Sequence, residues 1–334
     1  MNNRTYIIAE AGVNHNGKLD LALRLCDAAK ECGVDAIKFQ TWQTELIVTK
    51  NTDMAKYQKD NIGVEESQFN MLKKLELSYP DFTTIKSYCD NIGIQFLSTA
   101  DEIQSLDFLC SLGIPLIKLG SGDITNIPYL RYVAKKKLPI ILSTGMSSLK
   151  DVLVAYETLS EAGAEDISVL HCTTNYPCPM DEVNLRAMIT IKDVLQCKVG
   201  YSDHTMGIEV PIAAVAMGAN IIEKHFTLNQ NMEGPDHKAS LNPFQLKEMV
   251  NAIRNIEKAL GDGIKRPNQS ELKISEVVLK RIVANCPIRK GEYLTDKNLT
   301  VKRASEGISA TLWDTIIGSK ALYDFTTDEP IKIK

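Results

Sequence analysis

The chain has 334 residues, 44% hydrophobic and 24% charged, values ordinary for a globular protein that buries a sizeable core. A formal net charge of −4 leaves no basic footprint for a nucleic acid, and no apolar stretch is long enough to span a membrane. The sequence runs almost at once into a strand, so no signal peptide is expected. Its 8 cysteines are scattered without a Cys-x-x-Cys pair, which reads as reduced thiols of a cytoplasmic protein rather than a Cys172/Cys178 redox couple.

Eight short apolar runs then follow, each ending in a group that binds or reacts. TYIIAE ends at Glu10. In AIKFQT side chains alternate, so Ile37 and Phe39 share one face and Lys38 and Gln40 the other. IQFLST ends at Thr99, and PLIKLGSG repeats the inward lysine at Lys118, followed by Ser121. PIILSTG brings Ser143, and ISVLHC runs into Thr173 and Thr174. KVGYSDH carries Ser202 and His204, and NIIEKHF carries Glu223 and His225. The runs are continuous rather than alternating, as strands covered on both faces are.

Helix-period segments separate them: Leu19–Gly33, Glu66–Glu76 with Pro80–Ile92, Ile103–Gly113, Pro128–Lys137, Leu149–Gly163, Glu182–Leu195, Glu209–Gly218 and Pro243–Gly261. Strict alternation and a count of eight select an α/β fold, the (β/α)8 TIM barrel, with its site at the strand C-termini. An open doubly wound sheet would carry Gly-x-Gly-x-x-Gly after the first strand, where this chain reads AGVNHNG. The polar connection from Trp42 to Glu66 has the length of a lid or binding loop. The barrel is assigned to residues 1–262 and a linker to 263–280. A small, mostly β module of short strands occupies 281–334.

Two inward lysines near a barrel mouth are costly unless paired. Either they salt-bridge to Glu10 or Glu223, or they hold an anion together with hydroxyls from Thr99, Ser121, Ser143, Thr174 and Ser202. Those donors favour a phosphate or carboxylate. His204 and His225 end consecutive strands, where two imidazoles ligate a divalent metal or form a hydrogen-bonded structural pair. Glu10 closes the ring beside the eighth strand, as a general base or a metal contact through water. His15 and His237 lie in loops. His15 suits a surface loop as readily as the site, while the rigid Gly234-Pro235 turn presents Asp236 inward.

The segments AEAGVNHNG, KFQT, LST, KLGSGD, ILSTGM, LHCTTNYPCP, GYSDHT, EKHFT, GPDH and KGEYLTDKNLTVKR give the chain its identification with a family. It resembles the sialic acid synthases over nearly its whole length, with a C-terminal module similar to the antifreeze-like (SAF) domain. The resemblance implies a transferase that condenses phosphoenolpyruvate with an open-chain N-acetylated hexosamine and releases phosphate. It implies Mn2+, or Mg2+ or Co2+ in its place, on His204 and His225, and Glu10 handling the proton of the water that attacks. Lys38, Thr99, Lys118, Ser121, Ser143, Thr174 and Ser202 match phosphoenolpyruvate positions. Gln40, Asp123, Tyr176 and Asp236 match sugar positions. Arg303 matches an arginine that reaches the other subunit's barrel in a domain-swapped homodimer.

This chain departs from the family pattern at Ala100-Asp101 for Pro-Phe, Asp123 for Glu, Thr174 for Asn and Ala304 for Pro. Within the family it looks most like synthases of N,N'-diacetyllegionaminic acid, which use 2,4-diacetamido-2,4,6-trideoxymannose. N-acetylmannosamine, giving N-acetylneuraminate, is the runner-up. A pyruvate lyase with a Schiff base at Lys118 and a non-catalytic sugar- or ice-binding protein are the rival classes.

Overall fold

The computed structural model describes residues 4–55, 58–59, 63 and 66–333. Its first unit, Met1–Gly261, is built on β1 (Tyr6–Gly12), β2 (Ala36–Thr41), β3 (Gln95–Ala100), β4 (Ile117–Leu119), β5 (Ile140–Ser143), β6 (Ile167–Cys172), β7 (Lys198–Asp203) and β8 (Ile221–His225). These strands pair in chain order, all parallel, and β8 pairs back onto β1 to close the barrel.

Local chemistry sets where the connecting helices start and stop. Ser78 and Ser148 each form a capping box, with Asp81 and Asp151, at the heads of Tyr79–Ile92 and Leu149–Glu161. Leu19–Cys32 ends on Gly33 at φ 80°, a left-handed position that glycine adopts without a Cβ clash. The helices bury one face against the outward residues of the strands, Ile7, Ile37, Phe39, Phe96, Leu119, Leu142, Val169 and Ile222 among them. The connection from Trp42 to Glu66, expected as a lid, lies partly outside the described residues. Its described part includes the short helix Thr44–Ile47.

Inside the barrel the side chains form layers. Ile8, Ala36, Leu97, Ile141, Leu170 and Ile221 make one apolar plug. The next inward positions toward the strand C-termini are Glu10, Lys38, Thr99, Lys118, Ser143, Cys172, Ser202 and Glu223. The plug is therefore the floor beneath a polar chamber. Gly200 makes room for it: a Cβ there would lie 2.3 Å from the Ile221 carbonyl oxygen and 2.7 Å from Leu170 Cδ2.

The second unit, Asp262–Lys334, has its own core of Ile282, Ala284, Ile288, Leu294, Leu299, Ile316, Ala321, Phe325 and Ile331. Its β9 (Lys280–Ala284) and β10 (Leu299–Arg303) pair antiparallel. The other expected strands reduce to single bridges such as Ile288 with Phe325 and Tyr293 with Lys320. The segment read as a linker contains a helix, Gln269–Val278, started by an Asn268/Glu271 capping box. None of its residues is buried, and Leu272, Ile274, Val277 and Val278 are exposed.

Gly200→Ala is expected to lower the unfolding free energy by about 1–3 kcal/mol, the usual cost of overpacking a filled interior. Urea denaturation checks it, and an unchanged midpoint would show that the plug has slack the structure does not display.

Candidate active site

The polar chamber is held by four charges on four strands. Lys38 Nζ lies 2.7 Å from Glu10 Oε2 and 3.7 Å from Glu223 Oε2, and Lys118 Nζ lies 3.5 Å from Glu223 Oε1. All four side chains are almost completely buried. Hydroxyls fill the remaining directions: Lys38 donates to Thr99 Oγ1 at 3.0 Å, Lys118 to Ser143 Oγ at 2.8 Å, and Ser202 to Glu223 Oε1 at 3.0 Å. Gln40 donates to Glu10 Oε1 at 3.1 Å. The salt bridges weighed against an anion site in the sequence are thus present, and the hydroxyls that argued for the anion surround the same lysines.

Burial and these partners set the protonation of the cluster. Burial, only partly countered by Lys38, raises Glu10 to about 7. For Glu223 burial also opposes the charge, but Lys118 and Lys38 outweigh it and hold the carboxyl below its usual value. Burial works against both ammonium groups. Lys38, between two carboxylates, is nevertheless raised, while Lys118, with the longer pair, is lowered. An anion drawn into the chamber would compete with Glu10 and Glu223 for these two lysines.

The cluster opens onto a cavity of about 250 Å³. Of the sequence-predicted residues, Glu10, Lys38, Gln40, Thr99, Lys118, Ser121, Ser143, Thr174, Tyr176, Ser202, His204, His225 and Asp236 line it. Ser121 Oγ accepts the Gly145 N–H at 2.9 Å, and a Cβ on Gly145 would fall 2.0 Å from Thr174 Oγ1. That cradle of Ser121, Gly145 and Thr174 therefore depends on glycine, and Thr174 Oγ1 has no hydrogen-bond partner among the described residues.

Other predicted positions lie elsewhere. Asp123, in the turn Ser121–Asp123, bonds Asn126 Nδ2 at 3.2 Å and is not among the residues lining the cavity. Arg303 ends β10 in the second unit and is exposed there. His15 is fully buried rather than in a surface loop, packing on Phe39 and accepting the Gly17 N–H at 3.1 Å. His237 is likewise buried, 2.7 Å from Thr227 Oγ1.

His204 and His225 meet as their strand ends implied. Their rings are 5.4 Å apart, and both Nε2 atoms lie 2.7 Å from the Tyr176 hydroxyl. His204 Nδ1 donates to the Thr173 carbonyl at 2.8 Å, which leaves its Nε2 lone pair facing the cavity. Burial lowers His204 to about 4 and His225 well below the usual value, so both rings are neutral, the form that ligates metal. No group of three or more His, Cys, Asp or Glu residues converges as a cage among the described residues. Two neutral imidazoles aimed at one point do fit a divalent ion whose other positions are filled by water and substrate oxygens. Tyr176 was placed toward the sugar; here its hydroxyl sits at that convergence point. Nothing in the sequence around Tyr176 signalled this, because it depends on the path of the loop after β6.

Glu223, weighed from sequence as a salt-bridge partner, serves both lysines. Two lining features were not assigned a role from sequence. Asp101, beyond β3, lines the cavity with its carboxyl pushed up to about 7 by burial and by Asp123. An apolar wall of Val13, Met71, Leu72 and Leu75 stands on one side, with Met146 also at the cavity.

Comparison with known proteins agrees with the architecture. The NeuB family model matches residues 25–265 and the SAF domain model residues 281–334. The chain is 46% identical to the N,N'-diacetyllegionaminic acid synthase of Campylobacter jejuni, over 98% of this chain and 99% of the relative. It is 35% identical to the human N-acetylneuraminate-9-phosphate synthase, over 98% and 91%. Among solved structures, the N-acetylneuraminic acid synthetase of Leptospira borgpetersenii, in complex with citrate, superposes with a TM-score of 0.72 at 34% identity, covering 82% of this chain and 91% of that one.

Lys118 and Glu223 are opposite charges buried together, so removing one should cost more than removing both. Lys118→Met is expected to destabilise the protein by about 3–5 kcal/mol, and Lys118→Met combined with Glu223→Gln by less. Urea unfolding of the two variants decides; a double variant as unstable as the single would mean that Glu223 is not balanced by Lys118.

Proposed function

The chain belongs to the NeuB family, and from that premise we propose that it condenses phosphoenolpyruvate with 2,4-diacetamido-2,4,6-trideoxymannose, giving N,N'-diacetyllegionaminic acid and phosphate. The observation that carries the reaction class is the chamber's lining: two buried lysines and a ring of hydroxyls together with two neutral imidazoles.

In this reading Lys38 and Lys118 hold the carboxylate and phosphate of phosphoenolpyruvate, with Thr99, Ser143, Ser202 and the Ser121–Gly145–Thr174 cradle donating to their oxygens. Arranging the anion beneath the aldehyde sets C3 of phosphoenolpyruvate against the sugar's carbonyl carbon, so the new C–C bond is favoured by position. A divalent metal, Mn2+ by family likeness, held by His204 and His225 would supply Lewis-acid polarisation of the aldehyde oxygen. Bond formation leaves a cationic C2, and a water adds there. Glu10 is suited to take that water's proton, because burial poises its carboxyl at about 7, where accepting and releasing a proton are both cheap. The tetrahedral carbon then expels phosphate by C–O cleavage, and the phosphate stays neutralised by the two lysines until release.

The choice of sugar rests on the cavity's upper wall and on the legionaminic relatives. Two acetamido methyls and a deoxy carbon suit the apolar side formed by Val13, Met71, Leu72 and Leu75. Asp101 and Asp236 offer acceptors for amide or hydroxyl hydrogens, with Gln40 beside them. Arg303, carried by the SAF domain, is assigned to the N-acetyl end of the sugar in a partner subunit's barrel, which makes the working enzyme a homodimer in the cytoplasm.

Glu10→Gln and His225→Ala are both expected to abolish phosphate release, a loss of at least about a hundredfold from removing a general base or a metal ligand. A phosphate assay with both substrates reads it, and turnover retained in either variant would contradict the assignment. In competition, the diacetamido sugar should be consumed faster than N-acetylmannosamine. The reverse order would move the chain to the N-acetylneuraminate branch.

A further inference from the structure

Behind the two imidazoles, on the side of the sheet that faces the helices, is a pair of charges that the proposed chemistry does not use. Asp203 on β7 and Lys224 on β8 stand opposite each other in register, and neither side chain has any exposure to solvent. Their neighbours on that face are Tyr201, Ile222 and Phe226, all in the apolar shell between barrel and helices. Taking two ions out of water costs several kcal/mol each, and apolar residues of similar size often serve stability as well or better. A purely structural role therefore explains the pair poorly.

Their hydrogen bonds point to another role. Lys224 Nζ lies 2.5 Å from Asp203 Oδ2 and 2.5 Å from the Thr205 carbonyl oxygen. Asp203 Oδ1 accepts the Thr205 N–H at 3.0 Å, and Asp203 Oδ2 accepts the Thr205 hydroxyl at 3.1 Å. These bonds clamp the residues on either side of His204, whose own carbonyl accepts the Cys178 N–H at 2.8 Å. β7 ends at Asp203, so His204 lies one residue past its strand. β8 holds His225 directly, and Lys224, the residue before it, reaches across to the turn that carries His204.

We infer that Asp203, Lys224 and Thr205 form a brace that positions His204 opposite His225, and so set the affinity of the site for its divalent metal. They are positioning residues, since they touch neither substrate nor the convergence point of the rings. The inference rests on the proposed metal role of the two histidines.

The test uses the full-length protein, freed of metal, titrated with Mn2+ and followed by the electron paramagnetic resonance of the free ion, with no substrate present. Asp203→Leu combined with Lys224→Met removes both charges together, so that no buried ion is left unpaired. The expected result is a folded protein, by circular dichroism and thermal melting, whose Mn2+ affinity has dropped about 10–100-fold, the usual effect of losing the groups that orient metal ligands. Thr205→Val, which deletes one hydroxyl contact, should give a smaller loss in the same direction. A folded double variant that binds Mn2+ as the wild type does would overturn the brace. So would a double variant that fails to fold, since the pair would then be a stability element. A wild-type protein that binds no Mn2+ would instead sink the metal reading itself, and the two failures are told apart by the wild-type titration.

Discussion

The structure turns on one constraint: Lys38, Lys118, Glu10 and Glu223 are buried together inside a closed barrel, and their charges must balance. Water cannot screen them there, so each must find its partner among side chains from other strands. This exchange of charge ties together β1, β2, β4 and β8, of which β1, β2 and β8 also contribute to the plug beneath. In the proposed function an incoming anion exploits the same demand, taking Lys38 and Lys118 over from Glu10 and Glu223. Raising Glu10 to about 7 follows from the same burial, so the proposed anion capture and proton handling have one physical origin.

The neutral histidines complete the division of the chamber. Low dielectric disfavours a charged imidazole, which is what a metal ligand needs. The Thr173 carbonyl takes the Nδ1 proton and so turns Nε2 toward the cavity, while the Asp203–Lys224 pair grips the turn from behind. Lysines, hydroxyls, paired imidazoles and an apolar wall thus line one cavity, which suits the proposed joining of an anionic enol to a sugar that carries apolar groups.

Much of this was legible in the sequence because a strand has period two. A lysine flanked by isoleucine or leucine inside an apolar run must point inward, and both lysines did. Parallel order made His204 and His225 neighbours, and closure put Glu10 beside His225, its partner in register. What escaped was set by loops and by partners distant in the chain. The Tyr176 hydroxyl reaches both imidazoles because of the loop after β6. His15 is buried because the turn after β1 folds back onto Phe39. Glu223 could be read as a possible counter-ion, but only the barrel's geometry shows it serving two lysines. The helix Gln269–Val278 carried a readable capping signal, Asn268 with Glu271, yet no buried stripe to support it.

In the proposed reaction this chamber joins phosphoenolpyruvate to an amino sugar and breaks the C–O bond to phosphate. The most direct test supplies phosphoenolpyruvate with a heavy oxygen isotope in the bridge between C2 and phosphorus, together with the diacetamido sugar, and follows the label by mass spectrometry. The label is expected to leave with inorganic phosphate, and the new sugar acid to carry oxygen from water at C2. Label retained in the sugar acid, or release of phosphate that does not require the sugar, would contradict that reaction.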